Sequence, residues 1–220
     1  MGTVILNGWD ASPAAWSLCA CARGARVCSY LEQLEGAAQS ALDAVDGKVL
    51  LIGWSMGGSH ALHLACKYRE KLAGLILVAA TPRMMEDKSS GWRGMSPRRL
   101  EAFLKGVELT QGQGLFGPPE GRPNPYCADT PANLRRGLDY LLNTDLRGEL
   151  ENAFAGRPPE FPVGIFHSER DGIVRPENAT YLKMLFPRSE LTWIPGSEHA
   201  LPVAIPELID AAAASMINAG

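Results

Sequence analysis

The sequence lacks a long apolar run and a strong excess of charge of either sign. No stretch approaches the roughly 18 apolar residues that a membrane-spanning helix needs, so we expect no membrane span. The net charge of −3 gives no overall basic signal for nucleic acid or a membrane surface. The first predicted strand starts at Thr3, which leaves no room for a signal peptide. We therefore expect a cytoplasmic monomer that binds neither nucleic acid nor membranes.

The cysteines follow no disulfide or metal-binding pattern. Five is an odd number, and their spacing does not form a disulfide framework. Cys19 and Cys21 stand one residue apart, but no second ligand pair accompanies them, which argues against a metal site. We expect reduced thiols, no metal and no cofactor.

The order of the apolar segments predicts an α/β fold. Short apolar runs alternate with helical stretches, which is typical of a mostly parallel sheet flanked by helices on both faces. A chain of 220 residues, 46% of them hydrophobic, fits one domain with a substantial core. Strands are predicted near residues 3–6, 25–29, 48–53, 73–79, 162–167 and 190–195, and helices near residues 12–21, 30–45, 56–70, 177–186 and 203–218.

The alternation stops between Thr81 and Pro158. About 75 residues separate two sheet strands there, far more than an ordinary connection holds. We therefore assign residues 1–81 and 158–220 to the sheet domain and residues 82–157 to an inserted helical lid or cap, with helices near residues 100–104 and 134–142. A Gly- and Pro-rich stretch from Gly112 to Pro125 predicts a flexible excursion. A lid over a reactive site excludes water and selects substrate.

Ser55 stands between an apolar strand, residues 49–52, and a helix-like run, residues 59–66. Gly53 and Gly57 flank it, so the segment reads Gly-x-Ser-x-Gly at a strand-to-helix junction, which is the nucleophile-elbow pattern. So sharp a turn admits only small residues beside the serine and exposes its hydroxyl at a helix N-terminus, where negative charge is favoured. The pattern favours a nucleophilic serine over an ordinary glycine-rich turn.

A nucleophilic serine needs a general base, and His199 is the best placed of the four histidines. It lies in a loop after the predicted strand at 190–195, and such strand-end loops carry positioned catalytic groups. His60 and His63 lie one helical turn apart after the elbow and are better explained as packing or surface residues. His167 ends an apolar strand and fits a buried position.

Asp171 is the candidate for the acid that orients the base. It follows the strand at 162–167, and Gly172 after it permits a tight turn that aims the carboxylate inward. Glu169 is the competitor, and an ordinary solvated turn also explains either carboxylate. The chain order of serine, acid and histidine is the order found in α/β-hydrolases.

Two backbone N–H groups are expected to stabilise the oxyanion that forms during acyl transfer. Met56 follows the nucleophile and supplies one of them. The other is expected from Trp9, in the loop after the first strand, where Gly8 lets the chain turn toward the serine. The indoles of Trp9 and Trp54 would then line the acyl pocket. The alternative for Trp9 is a partly buried loop aromatic.

Arginines cluster at two places in the predicted lid. Arg98 and Arg99 belong to one group, and Arg135 and Arg136 form the other. They are candidates for docking an acidic protein, although solvated helix faces explain the same charges.

Together these residues resemble the α/β-hydrolase family, and more narrowly the pimeloyl-acyl-carrier-protein methyl ester carboxylesterases of biotin synthesis. The similar motifs are residues 4–9, 53–58 and 170–174, joined by two lid segments, residues 92–97 and 137–147. The resemblance implies an α/β-hydrolase fold of about six strands with a helical lid. It implies Ser55 as nucleophile, Asp171 as acid and His199 as base, with Trp9 and Met56 as oxyanion donors. It also implies cleavage of a methyl ester on acyl-carrier protein, which such enzymes bind through lid arginines.

The sequence departs from this family at identifiable places. Asn7 stands where a histidine is usual, which does not affect a backbone oxyanion donor. The leading strands are missing, so a smaller sheet is expected, and the carrier-binding arginines cannot be transferred one for one. A generalist short-chain carboxylesterase or thioesterase with the same triad stays open, as does a non-catalytic binding module that keeps the fold.

Overall fold

A computed structural model describes residues 1–110 and 120–219. Within them, six strands form one parallel sheet in the order β2-β1-β3-β4-β5-β6. The strands are β1 (Gly2–Leu6), β2 (Arg26–Cys28), β3 (Val49–Trp54), β4 (Leu72–Val78), β5 (Val163–Ser168) and β6 (Glu190–Ile194). This arrangement confirms the predicted fold class. Of the predicted excursion from Gly112 to Pro125, the part up to residue 119 lies outside the described residues.

The central strands are buried on both faces. All six residues of β3 are buried, as are six of the seven residues of β4. Continuous apolar runs of this kind are typical of parallel strands that are covered by helices on each side. Because β3 lies third in the order, its carboxyl end opens near the middle of the sheet edge, and Ser55 follows directly.

Helices cover both faces of the sheet. They are α1 (Tyr30–Leu34), α2 (Ala37–Asp43), α3 (Met56–Lys67), α4 (Pro97–Thr110), α5 (Pro131–Asn143), α6 (Arg147–Phe154), α7 (Glu177–Leu185), α8 (Leu201–Ala204) and α9 (Pro206–Ala219). One apolar cluster joins the sheet to α2, α3, α6 and α7, and another joins the opposite face to α8 and α9. No described helix has both the length and the apolar character to cross a membrane.

Two helices predicted in the N-terminal part of the chain are not continuous α-helices in the structure. The helix expected at 12–21 is a pair of short 3-10 turns, Pro13–Trp16 and Ala20–Ala22. Ser12 caps the first turn through its hydroxyl, which accepts the N–H of Ala14, and the turn ends within four residues. The helix expected at 30–45 is divided into α1 and α2 at Gly36, whose φ of +84° lies in the left-handed region that glycine tolerates.

The C-terminal helix is also divided. A single helix was predicted at 203–218, but α8 ends before Ile205 and α9 begins at Pro206. Proline has no N–H to continue the hydrogen bonds of α8, whereas it is well suited to begin a helix. Helix α3 matches its prediction to Lys67, after which residues 69–71 form a 3-10 turn.

In the part of the chain that the structure describes, three helices, α4, α5 and α6, lie between β4 and β5. The predicted segments at 100–104 and 134–142 fall inside α4 and α5, and α6 was not predicted. A third apolar cluster lies beneath α4 and α5 and includes Trp9, Met56 and Leu138. Helices α4 and α5 therefore pack over the carboxyl ends of the strands, where Ser55 lies.

Candidate active site

Ser55 occupies a strained turn between β3 and α3. Its φ of 55° and ψ of −117° are unusual for a residue with a side chain, and such conformations cost of order 1–3 kcal/mol and concentrate at functional sites. The turn also forces close backbone contacts. A Cβ on Gly53 would lie 2.5 Å from the carbonyl oxygen of Gly57, and one on Gly57 would lie 2.1 Å from the carbonyl oxygen of Leu6. Only glycine fits at either position, as the elbow pattern predicts.

His199 reaches Ser55 from the loop after β6. Its Nε2 lies 3.0 Å from Oγ of Ser55, and its Nδ1 lies 2.7 Å from Oδ2 of Asp171. The loop is held by Trp54, whose indole N–H donates to the carbonyl oxygen of His199 at 3.0 Å. The structure thus brings the three predicted side chains into one hydrogen-bonded chain.

Asp171 is buried and has a partner on each carboxylate oxygen. Oδ1 accepts the N–H groups of Ile173 and Val174 at 2.7 and 3.1 Å, and Oδ2 accepts from His199. Burial by itself raises the pKa of Asp171, but the charge and hydrogen bond of His199 and the N–H of Ile173 outweigh it, so the pKa lies below its ordinary value. The carboxyl group is therefore ionised near neutral pH, as an orienting acid must be.

The competing acid and the other histidines lie in different surroundings. Glu169 is exposed, whereas Asp171 is 2% exposed. His60 stacks on the ring of Tyr140 at 4.1 Å, and Nδ1 of His63 lies 2.8 Å from Glu149 on α6. His167 is fully buried, with Nε2 3.0 Å from the carbonyl oxygen of Val174. Among the candidate acids and bases, Asp171 and His199 are the two that form the hydrogen-bonded chain to Ser55.

The loop after β1 is fastened by Asn7, whose side chain is completely buried. Its Nδ2 donates to the carbonyl oxygens of Ala11 and Ser12, and its Oδ1 accepts the indole N–H of Trp16 at 2.8 Å. Its backbone carbonyl accepts from Nε2 of Gln33 at 2.9 Å. Asn7 thus organises the loop that carries Trp9.

The two predicted oxyanion donors belong to the start of α3 and to the loop after β1. Met56 is the first residue of α3, where backbone N–H groups have no acceptor within the helix. Trp9 is 8% exposed, and its indole N–H donates to the carbonyl oxygen of Leu134 on α5 at 2.8 Å. A Cβ on Gly8 would come within 3.3 Å of Cβ of Ser55, so the loop passes close to the nucleophile. The position of Trp9 is therefore suited to a second donor.

An apolar cavity adjoins the serine. It is lined by Trp9, Trp54, Ser55, Met84, Met95, Phe103, Tyr126, Leu138, Leu141, Ile173 and His199. Both indoles predicted for the acyl pocket are among these residues. None of the described lining residues is a lysine or an arginine. The cavity therefore suits an uncharged acyl or alkyl group.

Comparison with known proteins agrees with this fold. The profile of the alpha/beta hydrolase family matches residues 12–212. The chain belongs to the α/β-hydrolase family. This membership confirms the predicted family and fold class.

The relatives of this α/β-hydrolase include two esterases. A pimeloyl-[acyl-carrier protein] methyl ester esterase of Nitrosospira multiformis is 30% identical over 72% of this chain and 64% of that protein. A protein of the same name from Vibrio cholerae is 27% identical over 90% of this chain and 86% of its own length. The chain thus spans under two thirds of the first relative. The names support the prediction of a carboxylic ester hydrolase.

Solved structures give the same fold at lower identity. An esterase from Exiguobacterium antarcticum has a TM-score of 0.77 at 17% identity, covering 99% of this chain and 92% of that one. A bromoperoxidase from Bacillus anthracis has a TM-score of 0.74 at 19% identity, with the same coverage. At these identities the likeness concerns the fold alone.

The four arginines considered for carrier docking have different partners in this hydrolase. Arg135 forms an ion pair with Glu108, and Arg136 forms one with Glu35 at 3.1 Å. Arg98 and Arg99 are exposed on α4. A guanidinium nitrogen of Arg99 lies 3.6 Å from the point that a Cβ on Gly172 would occupy, so it lies next to the loop of Asp171.

Tyr126, which lies just after the Gly- and Pro-rich stretch, is a site residue that was not predicted from the sequence. It lines the cavity, and its ring centroid lies 6.3 Å from that of Trp54. Its segment is attached to the loop after β1, because the N–H of Ser12 donates to the carbonyl oxygen of Pro125 and that of Cys127 donates to Asp10. The only sequence signal for Tyr126 as a site residue was its position as an aromatic residue next to prolines.

Proposed function

We propose that this α/β-hydrolase is a serine carboxylesterase that hydrolyses the methyl ester of pimeloyl-acyl-carrier protein. The observation that carries the chemistry is the hydrogen-bonded chain from Asp171 through His199 to Ser55. The names of the Nitrosospira and Vibrio relatives support the choice of substrate. The reaction would convert the methyl ester to a free carboxylic acid while the pimeloyl group stays attached to its carrier. It would serve biotin synthesis.

In the first half of the reaction, Oγ of Ser55 attacks the carbonyl carbon of the methyl ester. Nε2 of His199 takes the hydroxyl proton, and the Asp171 carboxylate stabilises the imidazolium that results. The N–H groups of Met56 and Trp9 would bind the oxyanion of the tetrahedral intermediate. His199 then gives its proton to the leaving methoxide oxygen, which departs as methanol, and the acyl group remains on Ser55 as an ester.

In the second half, water replaces methanol. His199 takes a proton from the water as it attacks the acyl-enzyme, and it returns that proton to Oγ of Ser55 as the acid leaves. The product carries a free carboxylate, whereas the substrate end is neutral. Since the described lining of the cavity offers no cationic side chain, an anionic product is held less well than the ester. This difference favours product release.

Residues 82–157 would act as a lid over this site. Met84, Met95, Phe103, Leu138 and Leu141 all belong to that segment and line the same cavity as Ser55. The cluster of Trp9, Met56 and Leu138 joins the lid to the sheet domain. Such a cover would exclude water during acylation and shape the pocket for the acyl chain.

The acidic carrier protein would dock mainly at Arg98 and Arg99. Both are exposed on α4, and Arg99 lies next to Gly172 in the loop of Asp171, which places positive charge beside that loop. Arg135 and Arg136 already face the carboxylates of Glu108 and Glu35, so they present less net charge to a partner. Charge of this kind raises association rates and is screened by salt.

The first experiment tests the nucleophile. The Ser55→Ala variant is expected to lose nearly all turnover of a p-nitrophenyl ester while keeping its circular dichroism spectrum. A labelled fluorophosphonate should modify the wild type and leave the variant unlabelled. Near-normal hydrolysis by the variant would reject the assignment, and an unlabelled wild type would favour a binding module.

The second experiment tests the substrate. Methanol release from methyl pimeloyl-carrier protein is compared with hydrolysis of short p-nitrophenyl esters and of acyl thioesters. We expect the highest kcat/KM for the carrier-linked methyl ester. A higher value for the unlinked esters or for thioesters would indicate a generalist esterase or a thioesterase. Rescue of a biotin-requiring strain that lacks this esterase tests the role in biotin synthesis.

The third experiment tests carrier docking. The double reversal Arg98→Glu with Arg99→Glu should lower kcat/KM about tenfold or more for the carrier-linked substrate at low salt, chiefly through slower association. It should spare a p-nitrophenyl ester. The matched reversal of Arg135 and Arg136 should have a smaller effect on the carrier-linked substrate. Equal losses on both substrates would reject a docking role.

A further inference from the structure

Two cysteines and an aspartate meet at a place that the proposed reaction does not use. Cys19 precedes the 3-10 turn at Ala20–Ala22, Cys21 lies within it, and Asp210 lies on α9. The two sulfur atoms and a carboxylate oxygen of Asp210 all lie within 4.8 Å of one another. The sequence argued against a metal here because Cys19 and Cys21 lacked further ligands. The fold supplies one from a residue 189 positions further on.

The carboxylate of Asp210 is held in place by the backbone of the turn. Its Oδ2 accepts the N–H of Ala20 at 2.7 Å, and its Oδ1 accepts the N–H of Cys21 at 2.8 Å. A carboxylate has about four lone-pair sites, so each oxygen keeps one for another partner. Hydrogen bonds that orient a ligating carboxylate in this way are typical of the surroundings of metal ligands.

The three groups suit a metal ion that prefers sulfur. Thiolates select ions such as zinc over magnesium or calcium, which prefer oxygen ligands. Zinc binds sulfur at about 2.3 Å and carboxylate oxygen at about 2.0–2.2 Å, so tetrahedral ligand atoms lie about 3.5–3.8 Å apart. The separations here are compatible with that spacing after small side-chain movements.

We propose that Cys19, Cys21 and Asp210 form a three-ligand site for a thiophilic divalent cation, zinc above all. Cys19 is 3% exposed, whereas Cys21 and Asp210 are half-buried. The fourth tetrahedral position therefore faces the open side of the site and is taken by water. The sulfur atoms lose their protons to solvent when the ion binds, so no redox step is involved.

A bound ion would link the 3-10 turn to α9. Without the ion, Cys19 donates its S–H to the carbonyl oxygen of Pro202 on α8, at 3.4 Å, and α8 begins two residues after His199. The site thus lies in the same packed layer as the end of the His199 loop. Because the ion binds only the folded arrangement of these ligands, it raises the thermal stability of the chain.

The test is a titration of the reduced, metal-stripped full-length protein with zinc and with cobalt. We expect about one equivalent of zinc to bind and to raise the melting temperature, with excess magnesium unable to compete. Cobalt should give a thiolate-to-cobalt charge-transfer band and the visible bands of tetrahedral geometry. The Cys19→Ser, Cys21→Ser double variant should bind zinc at least about 100-fold more weakly, and Asp210→Asn should weaken it less.

The matched control is Cys66→Ser, which removes a half-buried thiol on α3 outside the site. It should bind zinc as the wild type does, and its hydrolysis of a p-nitrophenyl ester should be unchanged. Circular dichroism shows whether the double variant folds. Equal zinc affinity in the folded double variant would overturn the proposal. So would a cobalt spectrum without the thiolate band, or a loss of binding in Cys66→Ser as large as in the double variant.

Discussion

Replacing Asp171 with asparagine tests the hydrogen bond between Oδ2 of Asp171 and Nδ1 of His199. Oδ1 accepts the N–H groups of Ile173 and Val174, and Oδ2 accepts Nδ1–H of His199 at 2.7 Å. In the Asp171→Asn variant the amide oxygen must stay with the two backbone donors, because the reversed amide would place its NH₂ against them. The NH₂ group is then directed at Nδ1 of His199.

That NH₂ group donates, so Nδ1 of His199 must accept and the ring proton moves to Nε2. An Nε2–H group 3.0 Å from Oγ of Ser55 donates to the hydroxyl instead of taking its proton. The corresponding change in a serine protease lowers kcat about 10,000-fold. At about 1.4 kcal/mol for each factor of ten, this equals a loss of about 5.5 kcal/mol in transition-state stabilisation. We expect a loss of that order here, with little change in KM.

The assay is steady-state hydrolysis of a short p-nitrophenyl ester, accompanied by circular dichroism to verify the fold. Glu169→Gln is the matched control, because it removes the neighbouring carboxylate that is exposed. Its kcat should stay within about twofold of the wild type, as most changes at exposed positions have little effect. If the kcat of the folded Asp171→Asn variant falls by less than tenfold, the proposed role of Asp171 is wrong. A larger loss in Glu169→Gln would move the role to that residue.

The remaining predictions concern the elbow and a buried histidine. Gly57→Ala places a Cβ 2.1 Å from the carbonyl oxygen of Leu6, so α3 must move away from β1. Urea denaturation should therefore show a loss of about 3 kcal/mol in the free energy of unfolding. Gly148→Ala on α6, where nothing lies within 4 Å, should be neutral or stabilising by about 0.5–1 kcal/mol, and equal losses in both variants would contradict this account. Burial, with a smaller contribution from His63, lowers the pKa of His60 from 6.5 to about 4. The unfolded chain therefore takes up the proton first, and the free energy of unfolding falls as the pH drops from 6.5 to about 4. Over that range wild type should lose about 3 kcal/mol more than His60→Gln in urea denaturation, and parallel curves would show that His60 does not titrate this way.

The strands were predictable because each is a short apolar run that is buried as a unit. All six lie within one residue of the predicted bounds. Helices were less predictable where a local feature interrupts a periodic pattern. Gly36 divides one predicted helix and Pro206 another, and Ser12 and Pro13 begin a 3-10 turn instead of an α-helix.

Helix α6 was missed for a different reason. Its buried residues are only Leu150 and Phe154, too few to form a recognisable apolar periodicity in eight residues. Tertiary packing against α3 and α7 supports it, because helices this short are marginal by themselves. Similarly, the contact between Tyr126 and Trp54 depends on how the segment from Pro125 to Cys127 attaches to the loop after β1.

The local features of this protein could be predicted from its sequence alone: the apolar strands, the glycine-lined turn at Ser55 and the loops that carry Asp171 and His199. These follow from steric limits and apolar patterning, which act over a few neighbouring residues. Only the tertiary structure decided that His199 lies 3.0 Å from a hydroxyl 144 positions earlier, and that Asp210 lies beside Cys19 and Cys21. Those distances depend on strand order and helix packing, because the order of the sheet sets which loops meet at its edge.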